Sequence, residues 1–234
     1  MPGMRSALVA AGTVAGLVAA CTWVARPLPE PDRQAPADFP EAQYLQAAAR
    51  GDPVYRVDPA SSLVVIEVRR GGSLARLGHD HVVASHDVQG YVAPGQGRSD
   101  LHVRLDRLVV DEPELRARAG FDTQPTEDDI AGTRRNMLTG LGAAEHPFVR
   151  VGIAKGATDG PDDPLSVAIT LHGATRTQQV PMQVDVRGDV VAVTGRLSLR
   201  QTDFGIEPLS VLGGALQVQD VVNLRFDIRA RRVR

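Results

Sequence analysis

The chain has 234 residues, 23% of them charged, a formal net charge of −2, an aromatic fraction of 4% and a single cysteine. So near-neutral a balance gives no electrostatic reason to expect nucleic acid or an acidic polymer as partner, and one thiol rules out an internal disulfide framework. The 23 Gly and 16 Pro, beside many Val, Thr and Leu, favour a β-rich chain with many turns.

At the start of the chain, Arg5 precedes an uncharged apolar stretch from Ala7 to Ala20, and Cys21 follows directly. A basic start, an apolar middle and small residues at the cut form the layout of a secretory signal. The stretch is shorter than the about 20 residues that span a bilayer. A cysteine in this position resembles the bacterial lipobox, where the thiol is acylated and becomes the new N-terminus. Residues 1–20 are therefore expected to be a lipoprotein-type signal peptide, with Cys21 lipidated and a membrane as partner. That places the protein in a bacterial cell envelope, on the periplasmic side. Thr22 is not the Asp that favours inner-membrane retention, which points to an outer-membrane tether.

Residues 21–53 read as a linker. Its first part, residues 22–37, holds four prolines and suits an extended spacer. Asp38-Phe39-Pro40-Glu41 then reads as a helix start, with Asp38 as N-cap and a short helix running to about Arg50, stopped by Gly51. From Tyr55 the apolar pattern takes period two, and residues 54–234 read as one β domain. Leu63–Val68 is apolar on both faces. Further strands are expected at His81–Val92, Ser99–Val110, Phe148–Ala154, Leu165–His172, Thr175–Arg187, Val190–Leu199 and Val218–Arg231, with hairpin turns at His172-Gly173-Ala174 and Arg187-Gly188-Asp189. Thr126 caps one inserted helix, in which Ile130, Arg134, Met137, Leu138 and Leu141 recur at helical spacing before Gly140 or Gly142 ends it. About seven to nine antiparallel strands favour a barrel or sandwich.

Two clusters carry chemistry. In Gly78-His79-Asp80-His81, both imidazoles fall on one face of a strand and could hold one metal ion. His86 is the nearest third ligand, but its odd offset requires a bend. The ordinary alternative is a Gly-led turn in which these side chains bond backbone groups and each other. In Arg200-Gln201-Thr202-Asp203-Phe204-Gly205-Ile206, Arg200 and Asp203 could clasp each other at a barrel mouth, or Arg200 could meet an anionic head group, while Phe204 reads as core. No Gly-x-Ser-x-Gly elbow, phosphate loop or dinucleotide fingerprint appears, so no catalytic residue is assigned and the chain does not read as an enzyme.

Together these segments resemble the YceI-like family. Tyr55-Arg56-Val57-Asp58-Pro59-Ala60-Ser61-Ser62 opens the domain as members do, and His146-Pro147 with Phe148 stands at the strand after their helix. Leu171-His172-Gly173-Ala174-Thr175-Arg176 is similar to their hairpin, and Arg200 to Ile206 resembles their closing segment with one residue more before Asp203. The landmarks occur in the family's order over about residues 54–232, while Gly78–Val83 departs from the usual pattern as a subgroup signature would. The resemblance implies an all-β fold, an antiparallel eight-stranded lipocalin-like β-barrel with one inserted α-helix, in exported proteins of which some carry a polyisoprenoid.

The resulting expectation is a lipid-binding lipoprotein holding an isoprenoid or other long apolar molecule, with no cofactor beyond that lipid. Val64, Ile66, Val68, Leu105, Val151, Leu197 and Phe226 are the candidate lining residues by strand pattern. Arg200 and Asp203, with His79 and His81, are the polar candidates near the opening. The alternatives are a metal-binding barrel using His79, His81 and His86, or an interaction module without a small ligand, presenting its helix and the loop near Gly213-Gly214.

Overall fold

Period-two alternation folds here as a curled sheet whose longer strands turn apolar rows inward. The computed structural model describes residues 35–155 and 163–234. The signal segment, Cys21 and most of the Pro-rich spacer lie outside the described residues. Helix α1 (Glu41–Ala49) leads into β1 (Tyr55–Val57), β2 (Leu63–Val68), β3 (Arg70–Gly71), β4 (His81–Ser85), β5 (Val88–Ala93), β6 (Arg98–Arg104) and β7 (Val109–Val110). Helices α2 (Pro113–Ala119) and α3 (Glu127–Gly140) follow. Then come β8 (Phe148–Ala154), β9 (Leu165–Leu171), β10 (Ala174–Val180), β11 (Met182–Arg187) and β12 (Val190–Arg200). The chain closes with β13 (Ser210–Val211), β14 (Leu216–Val218) and β15 (Val221–Arg232).

One antiparallel sheet of twelve strands runs β10-β9-β8-β6-β5-β1-β15-β2-β4-β7, with β12 on the other edge of β15 and β11 beyond it. Strand β15 is the keystone. Its partner β12 follows it from Val190↔Arg231 to Arg200↔Val221, while its other edge is shared by β1 (Val57↔Ala230) and β2 (Leu63↔Asp227). The turn at Pro59–Ser61 separates β1 from β2 and lets the sheet change direction there.

The antiparallel lipocalin-like architecture agrees with expectation, and the strand count is higher than eight because several expected strands break. His81–Val92 divides at His86-Asp87 into β4 and β5. Thr175–Arg187 divides at Pro181, which has no N–H to donate to a ladder. Strands β10 and β11 are consecutive in sequence and unpaired, so the backbone ladder stays open between them. Side chains close that seam: Phe204 and Ile206 are buried against Val167, Ile169 and Val180, with Met182, Leu197 and Phe226 packed around them. The hairpin tip locks the plug, because the ring of His172 lies 3.2 Å from the Phe204 carbonyl through Nδ1.

Three helices accompany the sheet: the short one expected before Gly51, the inserted one after Thr126, and between them α2, which the sequence pattern does not predict. Helix α1 lies in the stretch read as linker and packs on the outer face of β5, where Tyr44 stacks on Tyr91 at 5.2 Å and donates to Asp100. It starts at Glu41, and Asp38 makes no cap but pairs with Arg150. Helix α2, seven residues long and too short to show a period, covers Val65, Val82 and Ala84 from outside through Leu115. Fully burying each such Val or Leu contributes about 1.5–3 kcal/mol. Helix α3 starts on a Thr126–Asp129 capping box and ends at Gly140, as the pattern predicts. Its apolar stripe, Ile130, Met137, Leu138 and Leu141, packs on the inner row of β2 and β4.

Candidate ligand-binding lumen

The pairing registers define the inner wall. Val64, Phe226 and Gly195 lie side by side on β2, β15 and β12, and Ile66, Leu224 and Leu197 form the next row up. On the opposite wall Leu101, Val151 and Ile169 align across β6, β8 and β9. Gly195 is required in its row: a Cβ there would stand 2.5 Å from Cζ of Phe226, whose ring lies across it.

The two ends of this interior differ. Around β1 and the C-terminal half of β15, Tyr55, Val57, Val88, Val92, Val191, Val193, Ile228 and Ala230 are all buried and form a packed floor. The Tyr55 hydroxyl donates to the Gly188 carbonyl across that end. Toward α3, the inward-facing Ile66, Val68, Val149, Val151, Leu171, Leu197, Leu199 and Leu224 are only half-buried. Apolar side chains that point into a barrel and still meet solvent line space that neighbours do not fill. The seven apolar residues predicted from strand pattern all fall in the inner clusters. Leu105 differs from the rest: it sits in a 3₁₀ turn after β6, fully buried, and belongs to the packed wall.

The polar candidates divide. Arg200 is largely exposed and pairs at 3.1 Å with Asp220, not with Asp203. Asp220 also accepts from the Thr202 N–H and hydroxyl and so caps the turn that carries Phe204. Asp203 is exposed on that turn. This cluster therefore serves to hold the seam, and the expected Arg200–Asp203 clasp is replaced because the Arg200↔Val221 pairing sets Asp220, in the bend before β15, beside Arg200.

His79 and His81 stand together at the mouth, ring centroids 6.1 Å apart. His81 extends the inner row of β4, opposite Val68. Its Nδ1 lies 2.6 Å from Oδ2 of Asp111, and its Nε2 lies 3.4 Å from the Thr133 hydroxyl on α3. Asp111 is buried, with a left-handed backbone (φ 59°), and also accepts from the Val82 N–H and from Arg116. Burial pushes its carboxyl up, but the bonds from His81, Val82 and Arg116 outweigh this and hold it below the usual carboxylate range. Asp80 points away and accepts from the Arg70 N–H. His86 is carried off by the β4–β5 break to an exposed contact with Glu112 at 2.9 Å, so it does not join the pair. Among the described residues no three His, Cys, Asp or Glu side chains come together as a metal site.

Sequence reasoning missed Asp111, Thr133 and the sealing role of Phe204, Ile206 and His172. Thr133 had a legible trace, since it shares the face of Ile130 and Met137 at helical spacing. Asp111 had none, being 30 residues from the ring it holds. A groove of about 1060 Å³ runs along β2, β11, β12 and β15, where Leu63, Val65, Met182, Val184 and Phe226 stand beside Arg118, Arg196, Arg225 and Asp227. It shares Gly195 and Phe226 with the inner row and adds charged groups that the half-buried apolar wall above does not carry.

No curated protein matches the chain. Among solved structures, it is similar to a polyisoprenoid binding domain from Saccharophagus degradans, at 14% identity and a TM-score of 0.55, over 76% of this chain and 98% of that one. It is also similar to Burkholderia cenocepacia BcnA, at 16% identity and a TM-score of 0.49, over 74% and 98% of the two chains. The model of the YceI-like domain matches residues 55–230, which takes in the whole of the sheet's floor, its seam and its half-open mouth. The chain belongs to the YceI-like domain family.

Proposed function

We propose that this protein is a lipid-binding lipoprotein of a bacterial envelope, tethered through acylated Cys21, that holds a polyisoprenoid or a similar long apolar molecule in the upper half of its barrel. The observation that carries this reading is the contrast between a sealed apolar floor and an apolar upper wall left half-buried. A long hydrocarbon entering from the α3 end would finish the burial of Ile66, Val68, Val151, Leu197 and Phe226 and stop at the floor. The S. degradans neighbour, described as polyisoprenoid-binding, supports the same use of the fold. Binding is the activity proposed.

Native mass spectrometry of gently purified full-length protein tests both parts. The expected spectrum carries an added mass of a long-chain lipid that is lost on organic extraction, and a mature chain beginning at acylated Cys21. A Leu197→Arg variant, which sets a charge in the lumen, is expected to lose the lipid. Protein that is always empty, and takes up no prenyl chain when loaded, would sink the reading.

A further inference from the structure

We propose that His81, backed by Asp111 and faced by Thr133, is a head-group site for a ligand with a free hydroxyl, so that the lumen selects a long-chain alcohol of the prenol type over its phosphate or a headless hydrocarbon. This rests on the lipid-binding reading above.

The argument starts from a proton. An ionised carboxylate can only accept, so with Asp111 Oδ2 at 2.6 Å the His81 Nδ1 carries the hydrogen. In the neutral imidazole, Nε2 is then a bare acceptor. Its hydrogen-bond partner is the Thr133 hydroxyl, at 3.4 Å a long and weak contact. The position of this contact matters. Thr133 lies on the face of α3 that otherwise presents Ile130, Met137, Leu138 and Leu141 to the interior, and His81 continues the inner row above Val83. A polar pair thus stands at the upper limit of an apolar chamber, which is where the head of a ligand lying tail-down would arrive.

A second atom there is unspent. His79 Nδ1 is buried without a hydrogen-bond partner, and a buried polar atom left unpaired is costly. A ligand hydroxyl between the two elements would donate to His81 Nε2 and accept from Thr133, forming a chain polarised by Asp111. The surrounding charge excludes the anionic alternative. Asp111 is held ionised as described, and Asp129, 3.9 Å from His79, is held below the usual range by bonds from the Thr126 hydroxyl and N–H. Two carboxylates beside a bare acceptor repel a phosphate. Four cations around the mouth are engaged elsewhere: Arg116 with Asp111, Asp80 and Thr123, Arg70 with Asp122 and Gly78, Arg69 with Glu67 and Asp80, and Arg134 with the Asp106 carbonyl.

The test compares three probes on delipidated full-length protein at a pH where histidine is neutral: geranylgeraniol, its methyl ether and geranylgeranyl phosphate. The alcohol should bind about 3- to 10-fold tighter than the ether, the range one net hydrogen bond supports, and tighter than the phosphate. Thr133→Val, which keeps volume and helix, and His81→Phe should each erase most of the alcohol's advantage while leaving ether binding in place. Equal binding of alcohol and ether by wild type, or tighter binding of the phosphate, overturns the head-group site and leaves the lipid reading standing. Failure of all three probes to bind overturns both.

Discussion

The floor of the barrel and its mouth are built from the same strands and held by different physics. At the floor, Val191, Ile228 and Ala230 meet Val57, Val88 and Val92 with nothing exposed, and stability comes from apolar burial. At the mouth, inward apolar residues stay half-buried, and the wall behind them is held by a buried ion pair, Asp111 with Arg116, tied to Asp80, Val82 and Thr123 by hydrogen bonds. A region that must keep room for a ligand cannot use that room for its own core. Its support has therefore moved outward, into α2 and the Asp111 loop.

Four perturbations sharpen this contrast. Arg116→Ala leaves the buried Asp111 carboxylate without its partner and should cost about 3–5 kcal/mol, read as a fall in denaturant midpoint; a loss below about 1 kcal/mol would show that the mouth does not lean on the pair. Ile228→Ala in the floor should cost about 2–5 kcal/mol. Leu197→Ala in the upper wall should cost well under that in empty protein, since little packing is lost, yet weaken prenol binding. Equal stability losses at the two sites would mean that the upper half is packed as tightly as the floor. The smallest effect is the pH dependence. Asp111 has a folded pKa below its unfolded one, so its contribution is present above about 4 and lost as pH falls through the folded value. The stability gap between wild type and Asp111→Asn should therefore narrow as pH falls below about 4; a constant gap would contradict the assignment.

Much of this was legible in the chain. The run Leu63–Val68 marked a strand apolar on both faces, and Val65 lies beneath α2 while Val64 and Ile66 face inward. The strand expected at Val218–Arg231 forms as β15 with one apolar row only, Phe226, Ile228 and Ala230 inward and Asn223, Arg225, Asp227 and Arg229 on the other face. Local chemistry located α3, through Thr126 and Asp129, and the two hairpins at Gly173 and Gly188. Breaks were harder to read. His86-Asp87 looks like continued strand, and only the competing pull of β1 and β2 along β15 forces the split there. Arg200 and Asp203 sit close in sequence, so a clasp seemed natural, but an ion pair goes to the nearest carboxylate in space, which the bend before β15 supplies as Asp220.

By itself the sequence determined the periodicities, caps and turns, because these depend on neighbours within a few residues, and with them the inward-facing apolar rows. The tertiary structure alone decided which rows are filled and which are left open, how Phe204 and Ile206 seal the seam that Pro181 leaves, and that Asp111 reaches across 30 residues to fix the His81 proton. Burial and long-range hydrogen bonding depend on distances that the chain acquires only once its ends have met.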